Sequence, residues 1–348
     1  MVWGRWLKRF INGAFLISQD LVLVLHTIDR MLSDLDLNYR IQQTLNSALV
    51  FEGVGLHSGA LSQLIIRPAP ANHGIRFVRT DLTDHPQILA HYDSVVSTEL
   101  ATSLGRLDRP EAKVSTVEHL MAALFALGIT NALAEISGPE VPILDGSARP
   151  YVDAILRDGP ALQPFTRSRL RVTKAIKIYH NGAVCELLPR KGLRLTTSVD
   201  FEHPAIGLQT VALELTPEMF AKEIGSARTF GFIEDLDRLR SANLALGASL
   251  ENVVAFSKDS VLNPEGLRFV DECVRHKLLD AIGDLALCGH WIDGELVSFR
   301  GGHSIHLALL KSLNDFKAHW EFIPASALKT ALASNNLETP ADSVSVMV

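Results

Sequence analysis

The segment CVRHKLLDAIGDL, residues 273–285, decides how the rest of the chain is read. Its leucines, Ala281 and Ile282 give it the apolar density of a buried helix, yet His276, Lys277, Asp280 and Asp284 stand among them. His276 and Asp280 are four residues apart, so on a helix both side chains lie on one face and can reach a single metal ion. A lone H-x-x-x-D is more often an ordinary contact on a helix surface, but this run is too apolar for a solvated face. An earlier segment, VSTVEHLMAALFALGI (114–129), can be laid over it, with Val117-Glu118-His119 on Val274-Arg275-His276. If the chain holds two copies of one fold, the two histidines occupy equivalent positions and packing of the copies brings them together.

Working outward, the first helix is expected to be capped by Ser115 or Thr116 and stopped by the glycine of LGI. Before it, QTLNSALVFEGVGLHSGALSQLIIRPA (43–69) alternates and turns at glycines as paired strands do, and GIRFVRTD (74–81) reads as another strand. NALAEISG (131–138), the turn PILDGSARP (142–150) and a helix in YVDAILRDG (151–159) follow. After residue 168 the plan repeats: strands in RLRVTKAIKIYHNG, AVCELLPRKG and LRLTTSVDF, short helices in PEMFAKEI and FIEDLDRLRSAN, the 273–285 helix, and a strand in ELVSFRGG. Strands followed by helices without strict alternation predict an α+β fold with sheets layered on helices. A length of 348 residues is better divided between two domains than held by one core.

A net charge of −6 excludes a general nucleic-acid surface, which needs excess Lys and Arg. Cys185, Cys273 and Cys288 are odd in number and widely spaced, so they form no disulfide framework and point to a reducing, cytoplasmic setting. Cys273 and His276 make a C-x-x-H, but no second cysteine lies near enough to complete a structural metal set, and Cys273 reads as a small apolar filler. The basic start and short apolar run of residues 1–17 are interrupted by SQD and fall short of the about 20 residues that span a bilayer. Residues 1–40 are therefore expected to be a dispensable extension, with Met31 nearer the true start, and no stable membrane insertion is expected.

His119, His276 and Asp280 make a two-histidine, one-carboxylate set with an open position, the pattern of catalytic zinc, though iron(II) would also fit. Water on such a zinc has its pKa lowered to about 7. Glu118, beside His119, is then a candidate general base; its plainer reading is a first-turn acid facing the helix dipole.

VSTVEHLMAAL, PILDGSARP, DFEHPAI, SARTFGF, GLRFVDECVRHKLLDAIGDL and GGHSIH together resemble the UDP-3-O-acyl-N-acetylglucosamine deacetylases, the zinc amidases of lipid A biosynthesis, over residues 41–325. The resemblance implies two similar α+β domains, 41–165 and 168–325, with the active site in the cleft between them, a βαβ insert in the second domain and a tail from 326 to 348. It implies zinc on His119, His276 and Asp280, and Glu118 as the base that activates water against the N-acetyl carbonyl. His303, chosen over His306 on the motif, would be the protonated group that stabilises the oxyanion and protonates the amine. Thr229 would donate to the oxyanion, Asp284 would orient His303 and keep it charged, and Lys277 would assist substrate binding. Asp200 and Phe201 would meet the uridine, Phe201 by stacking, while Phe230, Ile233 and Leu246 would line an acyl passage within 225–256. His57 matches a family histidine near the site, which the resemblance implies would touch a second, inhibitory metal. Neither Glu99 nor Ala101 is the Met or Cys often found there in the family, a departure at the mouth of the site. The implied partner is the UDP-sugar substrate alone, with the protein a monomer.

Overall fold

A computed structural model describes residues 40–327, so the expectations for the extension and for most of the tail lie outside the described residues. The earlier part contains strands β1 (Ile41–Leu45), β2 (Leu49–Val54), β3 (Leu61–Pro68), β4 (Ile75–Arg79), β5 (Gln87–Leu89), β6 (Val95–Ser97), β7 (Ser103–Arg106), β8 (Arg109–Val114), β9 (Ala132–Ile136) and β10 (Pro160–Thr166). Helix α1 (Glu118–Ala126) leads into β9, and α2 (Arg149–Asp158) follows it. The later part contains β11 (Arg169–Val172), β12 (Ile176–His180), β13 (Ala183–Leu188), β14 (Leu193–Phe201), β15 (Gly207–Glu214), β16 (Phe230–Phe232), β17 (Val254–Phe256), β18 (Trp291–Phe299) and β19 (Trp320–Ile323). Its helices are α3 (Leu236–Ser241), α4 (Glu272–Ala286), which leads into β18, and α5 (His303–Ser312), which follows it.

The two main sheets share one topology. The first runs β2-β3-β9-β4-β5 and is antiparallel except where β9 lies parallel to β4. The second runs β12-β13-β18-β14-β15 and is antiparallel except where β18 lies parallel to β14, with β11 and β19 added alongside the start of β18. In each sheet the strand that follows the long buried helix is inserted at the centre, between a hairpin and its later partner. Period-two burial fixes which face each strand turns inward: Ser62, Leu64 and Ile66 on β3, and Leu193, Leu195, Thr197 and Val199 on β14. Strand β1 pairs with β10, tying the start of the earlier part to its end.

All nine residues of α1 are buried, as are all but Arg275 and Lys277 of α4. Helices buried on nearly every side must be covered on every side, and these two cover each other. Gly283 sets how closely: a Cβ there would stand 2.1 Å from the Glu118 carbonyl oxygen, so the backbones meet at this point and only glycine fits.

The end of α1 agrees with the sequence and its start does not. Gly128 adopts a positive φ of 83°, and Ile129 N–H reaches back to the Leu124 carbonyl at 2.8 Å, closing the helix in a Schellman arrangement. At the start, Val117 occupies the cap position with no side-chain cap bond. The Thr116 hydroxyl instead donates to Glu140 Oε1 at 2.6 Å, and Ser115 pairs with Ser103. Buried Glu140 needs donors more than the helix needs a cap, because an unsatisfied carboxylate away from water is the costlier defect.

Two shorter expectations also shift. PEMFAKEI forms one α-turn, Pro217–Met219, that widens into a π-turn over Phe220–Ile224. The helix expected from residue 232 starts later, because Phe230–Phe232 is strand β16, parallel to β17 with α3 between them. Cys273 lies in an apolar cluster with Val199, Phe256 and Val274, as a filler should, and all three cysteines are free thiols. Among the described residues no helix is long and apolar enough to cross a membrane.

Candidate metal centre and active site

The close crossing of α1 and α4 assembles the site. His119, in the first turn of α1, meets His276 and Asp280 on one face of α4, and ligand atoms of the three lie within 4.8 Å of one another. His119 Nε2 is 3.8 Å and His276 Nε2 is 3.3 Å from Asp280 Oδ1, with the two imidazole rings edge to face at 4.9 Å between centroids. Metal–ligand bonds of about 2.0–2.1 Å in a tetrahedron put neighbouring ligand atoms about 3.3–3.4 Å apart, so these spacings suit an ion between them. They are poor as direct hydrogen bonds.

Protonation fits as well. Burial pushes His119 down to about 3, helped by His276, and burial likewise lowers His276. Both are therefore neutral, the form that offers a lone pair. His276 Nδ1 is 3.0 Å from the Ala227 carbonyl and donates to it, which leaves Nε2 as the ligating atom. Burial works against the charge of Asp280, but His276 and Lys277 outweigh it and hold the carboxyl below its ordinary range. Lys277 Nζ binds the other oxygen, Oδ2, at 2.9 Å, so Oδ1 is left to face the imidazoles. Burial would likewise strip the proton from Lys277, and its contact with Asp280 keeps it charged.

A second group adjoins the first. Glu118 is buried, accepts from the Thr102 backbone N–H at 3.1 Å, and stands 3.7 Å from His303 Nε2. Burial raises Glu118 to about 8 against the opposing pull of His303. A dication held beside it would counter that rise, since a nearby positive charge favours the carboxylate. His303 opens α5, and its Nδ1–H donates to Asp284 Oδ2 at 2.8 Å. Burial alone would lower this imidazole; Asp284 and Glu118 overcome it and raise it to about 9. A carboxyl near its working range and an imidazolium sharing one buried space can take a proton from one group and deliver it to another.

Two further residues complete this network: Thr102, which the sequence does not single out, and His306, which the motif passes over in favour of His303. The Thr102 hydroxyl donates to Asp284 Oδ1 at 2.7 Å, and His306 Nδ1 lies 2.8 Å from Oδ2, the oxygen that also holds His303. His306 Nε2 in turn lies 3.2 Å from Ser298 Oγ. The i, i+3 spacing of His303 and His306 on α5 was visible; that both meet one carboxylate was not.

The remaining candidates lie around this centre. The Phe230 ring is 6.3 Å from His276 and 5.7 Å from Lys277 Nζ, and it also packs against Phe201 at 5.6 Å. Phe201 thus belongs to an aromatic cluster with Phe230, Phe232 and, through them, His203 and Phe256. Thr229 is half-buried and anchored through its backbone to Gly146 and Val254, between Ala227 and Phe230, both of which touch His276. Asp200 pairs with Arg300 in an exposed ion pair rather than joining the buried group. Ile233 and Leu246 are exposed apolar residues. His57 lies near enough to His303 to feel its charge; its backbone N–H donates to Glu140 at 3.0 Å, and both ring nitrogens are buried.

Comparison with known proteins points the same way as the geometry. A family described as UDP-3-O-acyl N-acetylglycosamine deacetylase matches residues 42–315. A Myxococcus xanthus protein named UDP-3-O-acyl-N-acetylglucosamine deacetylase is 44% identical over 284 residues, covering 82% of this chain and 90% of its own. Proteins of the same name from a Geobacter species and from Brucella melitensis are each 44% identical, covering 78% and 82% of this chain and 88% and 99% of theirs.

Proposed function

The chain belongs to the UDP-3-O-acyl N-acetylglycosamine deacetylase family, and from that premise we propose how its own residues carry the reaction. It is a metal-dependent enzyme that removes acetate from the N-acetyl group of UDP-3-O-acyl-N-acetylglucosamine in lipid A synthesis. The observation that carries the assignment of roles is the convergence of α1 and α4, which sets a neutral two-histidine, one-carboxylate group beside an acid–base pair.

We infer that zinc is the metal, held by His119, His276 and Asp280; mixed nitrogen and oxygen donors suit it better than magnesium or calcium, and iron(II) is the alternative. When bound, zinc polarises the amide carbonyl and lowers the pKa of water to about 7. Glu118 takes the proton of the attacking water. His303, fixed through Nδ1 by Asp284, presents Nε2 to the same space and gives its proton to the departing amine, which is otherwise a poor leaving group. Thr229 is assigned as a donor to the oxyanion. Lys277 holds Asp280 and faces Phe230, a place from which its charge can assist the substrate's diphosphate.

The identical strand order of the two main sheets supports a duplicated fold, with domains 41–165 and 168–325 and the cleft between them at the α1–α4 crossing. Asp200 and Phe201 are proposed to receive the uridine, and the β16–α3–β17 unit, with Phe230 and the exposed Ile233 and Leu246, to form the acyl passage. Each methylene buried there would add about 0.8 kcal/mol, enough for the passage to measure chain length. We also propose that the protein works as a cytoplasmic monomer.

Metal analysis joined to an acetate-release assay tests the assignment. His276→Ala is expected to purify without stoichiometric metal and without activity, whereas full metal content in that variant would remove His276 from the ligand set. Comparing the UDP-acyl substrate with simpler N-acetyl sugars should show strong preference for the former.

A further inference from the structure

Asp284 carries three donors on its two oxygens, and only one of them belongs to the groups assigned to the reaction. The Thr102 hydroxyl holds Oδ1 at 2.7 Å, while Nδ1 of His303 and Nδ1 of His306 each stand 2.8 Å from Oδ2. All four side chains are buried. Burial works against the charge of Asp284, but His303 and His306 outweigh it and hold the carboxyl below its ordinary range, so the group only accepts and both Nδ1 atoms donate. The other nitrogen of His306, Nε2, lies 3.2 Å from Ser298 Oγ, which is itself buried and fixes the plane of the ring from its far side. Gly301 keeps the room for that contact, because a Cβ there would run into Ser298 Oγ and stand 3.0 Å from His306 Nε2.

A buried carboxylate needs donors, and that need alone explains why Asp284 has some. It does not explain why Oδ2, already bonded to His303, takes a second imidazole from the next turn of the same helix. With His303 as its single partner the carboxylate could turn about its own bonds and carry that imidazole with it. With Thr102 on one oxygen and His306 on the other, its plane is set from outside the pair. His303 is then aimed by a fixed acceptor, and its Nε2 is held 3.7 Å from Glu118 Oε1. Misplacing a reacting group by about 1 Å can cost about 10²-fold in rate. We propose that His306 is a positioning residue of the deacetylation: together with Thr102 it clamps Asp284 and so holds His303 in line with the departing amine. This rests on the assignment of His303 as the acid.

Steady-state acetate release by the metal-loaded enzyme provides the test. His306→Leu removes the donor with a side chain of comparable size and is expected to lower kcat by about 10–100-fold, with KM and metal content unchanged. His306→Asn, whose amide nitrogen reaches about the place of Nδ1, should restore most of that loss. In a His303→Ala background, adding His306→Leu should cost little more, because the two changes remove one function; a role in folding alone would cost the same in both backgrounds. In enzyme labelled with 15N-histidine, Nδ1 of His306, identified by its absence in His306→Asn, should carry a proton. If His306→Leu melts abnormally, Thr102→Val, with Thr102→Ser as its rescue, carries the same comparison at the other oxygen. The proposal is overturned if His306→Leu turns over at the wild-type kcat, if its loss appears in KM alone, if His306→Asn restores nothing, if the loss is undiminished without His303, or if Nδ1 of His306 is unprotonated. Wild-type turnover by His303→Ala would instead remove the acid itself, and the proposal with it.

Discussion

Glu118 and His303 face each other across 3.7 Å, and the proposed mechanism needs them in opposite protonation states, Glu118 as carboxylate and His303 as imidazolium. Activity should therefore rise with pH as Glu118 loses its proton and fall as His303 loses its own near pH 9, giving a bell in kcat/KM. Because Glu118 is at about 8 without a dication, the rising limb should lie lower in the metal-loaded enzyme. Replacing Asp284 by Asn removes the charge that raises His303, so the falling limb should move to lower pH; a limb that stays in place would show that Asp284 does not set it. Glu118→Gln should keep its metal and lose about 10²–10⁴-fold in turnover, as measured by acetate release alongside metal content. At this scale the sequence was legible where chemistry and spacing coincide, as in His276 and Asp280 one turn apart. It was silent on Thr102 and set His306 aside in favour of His303, because the contact of both with Asp284 is made only in the folded chain.

Helices α1 and α4 do their work by touching, and the touching depends on Gly283. Gly283→Ala would place a methyl group 2.1 Å from the Glu118 carbonyl, too close to be relieved by rotating a side chain. The helices must part, at a cost of about 1–3 kcal/mol or more, and the ligands on them must part too. The variant should melt earlier and bind metal more weakly, and wild-type values for both would contradict the account. Sequence periodicity found these helices because an apolar run of this length has few other uses. It misplaced the α1 cap because the pull of Glu140 on Thr116 is a tertiary contact. It also began the α3 helix at Phe232, the last residue of β16, since three residues of strand leave almost no periodic signal and pair only because β17 lies alongside.

Across the whole molecule, a metal bound between elements from opposite ends of the chain should hold those elements together. Ligand bound only by the folded state stabilises it by about 2.7 kcal/mol at a hundredfold excess over Kd, so chelation should lower the melting temperature of the wild type. It should lower that of His276→Ala far less, which calorimetry with and without chelator would check. The sequence by itself determined most of the secondary-structure plan and the kinds of residue available for a hydrolytic metal site. These follow from local periodicity, composition and side-chain chemistry, which need no knowledge of distant neighbours. Only the tertiary structure decided that His119 meets His276 and Asp280, and that Asp284 serves two imidazoles at once. Each of those depends on groups from separate elements arriving in one buried space, where the loss of water sets their protonation and the close passage of two backbones sets their distance.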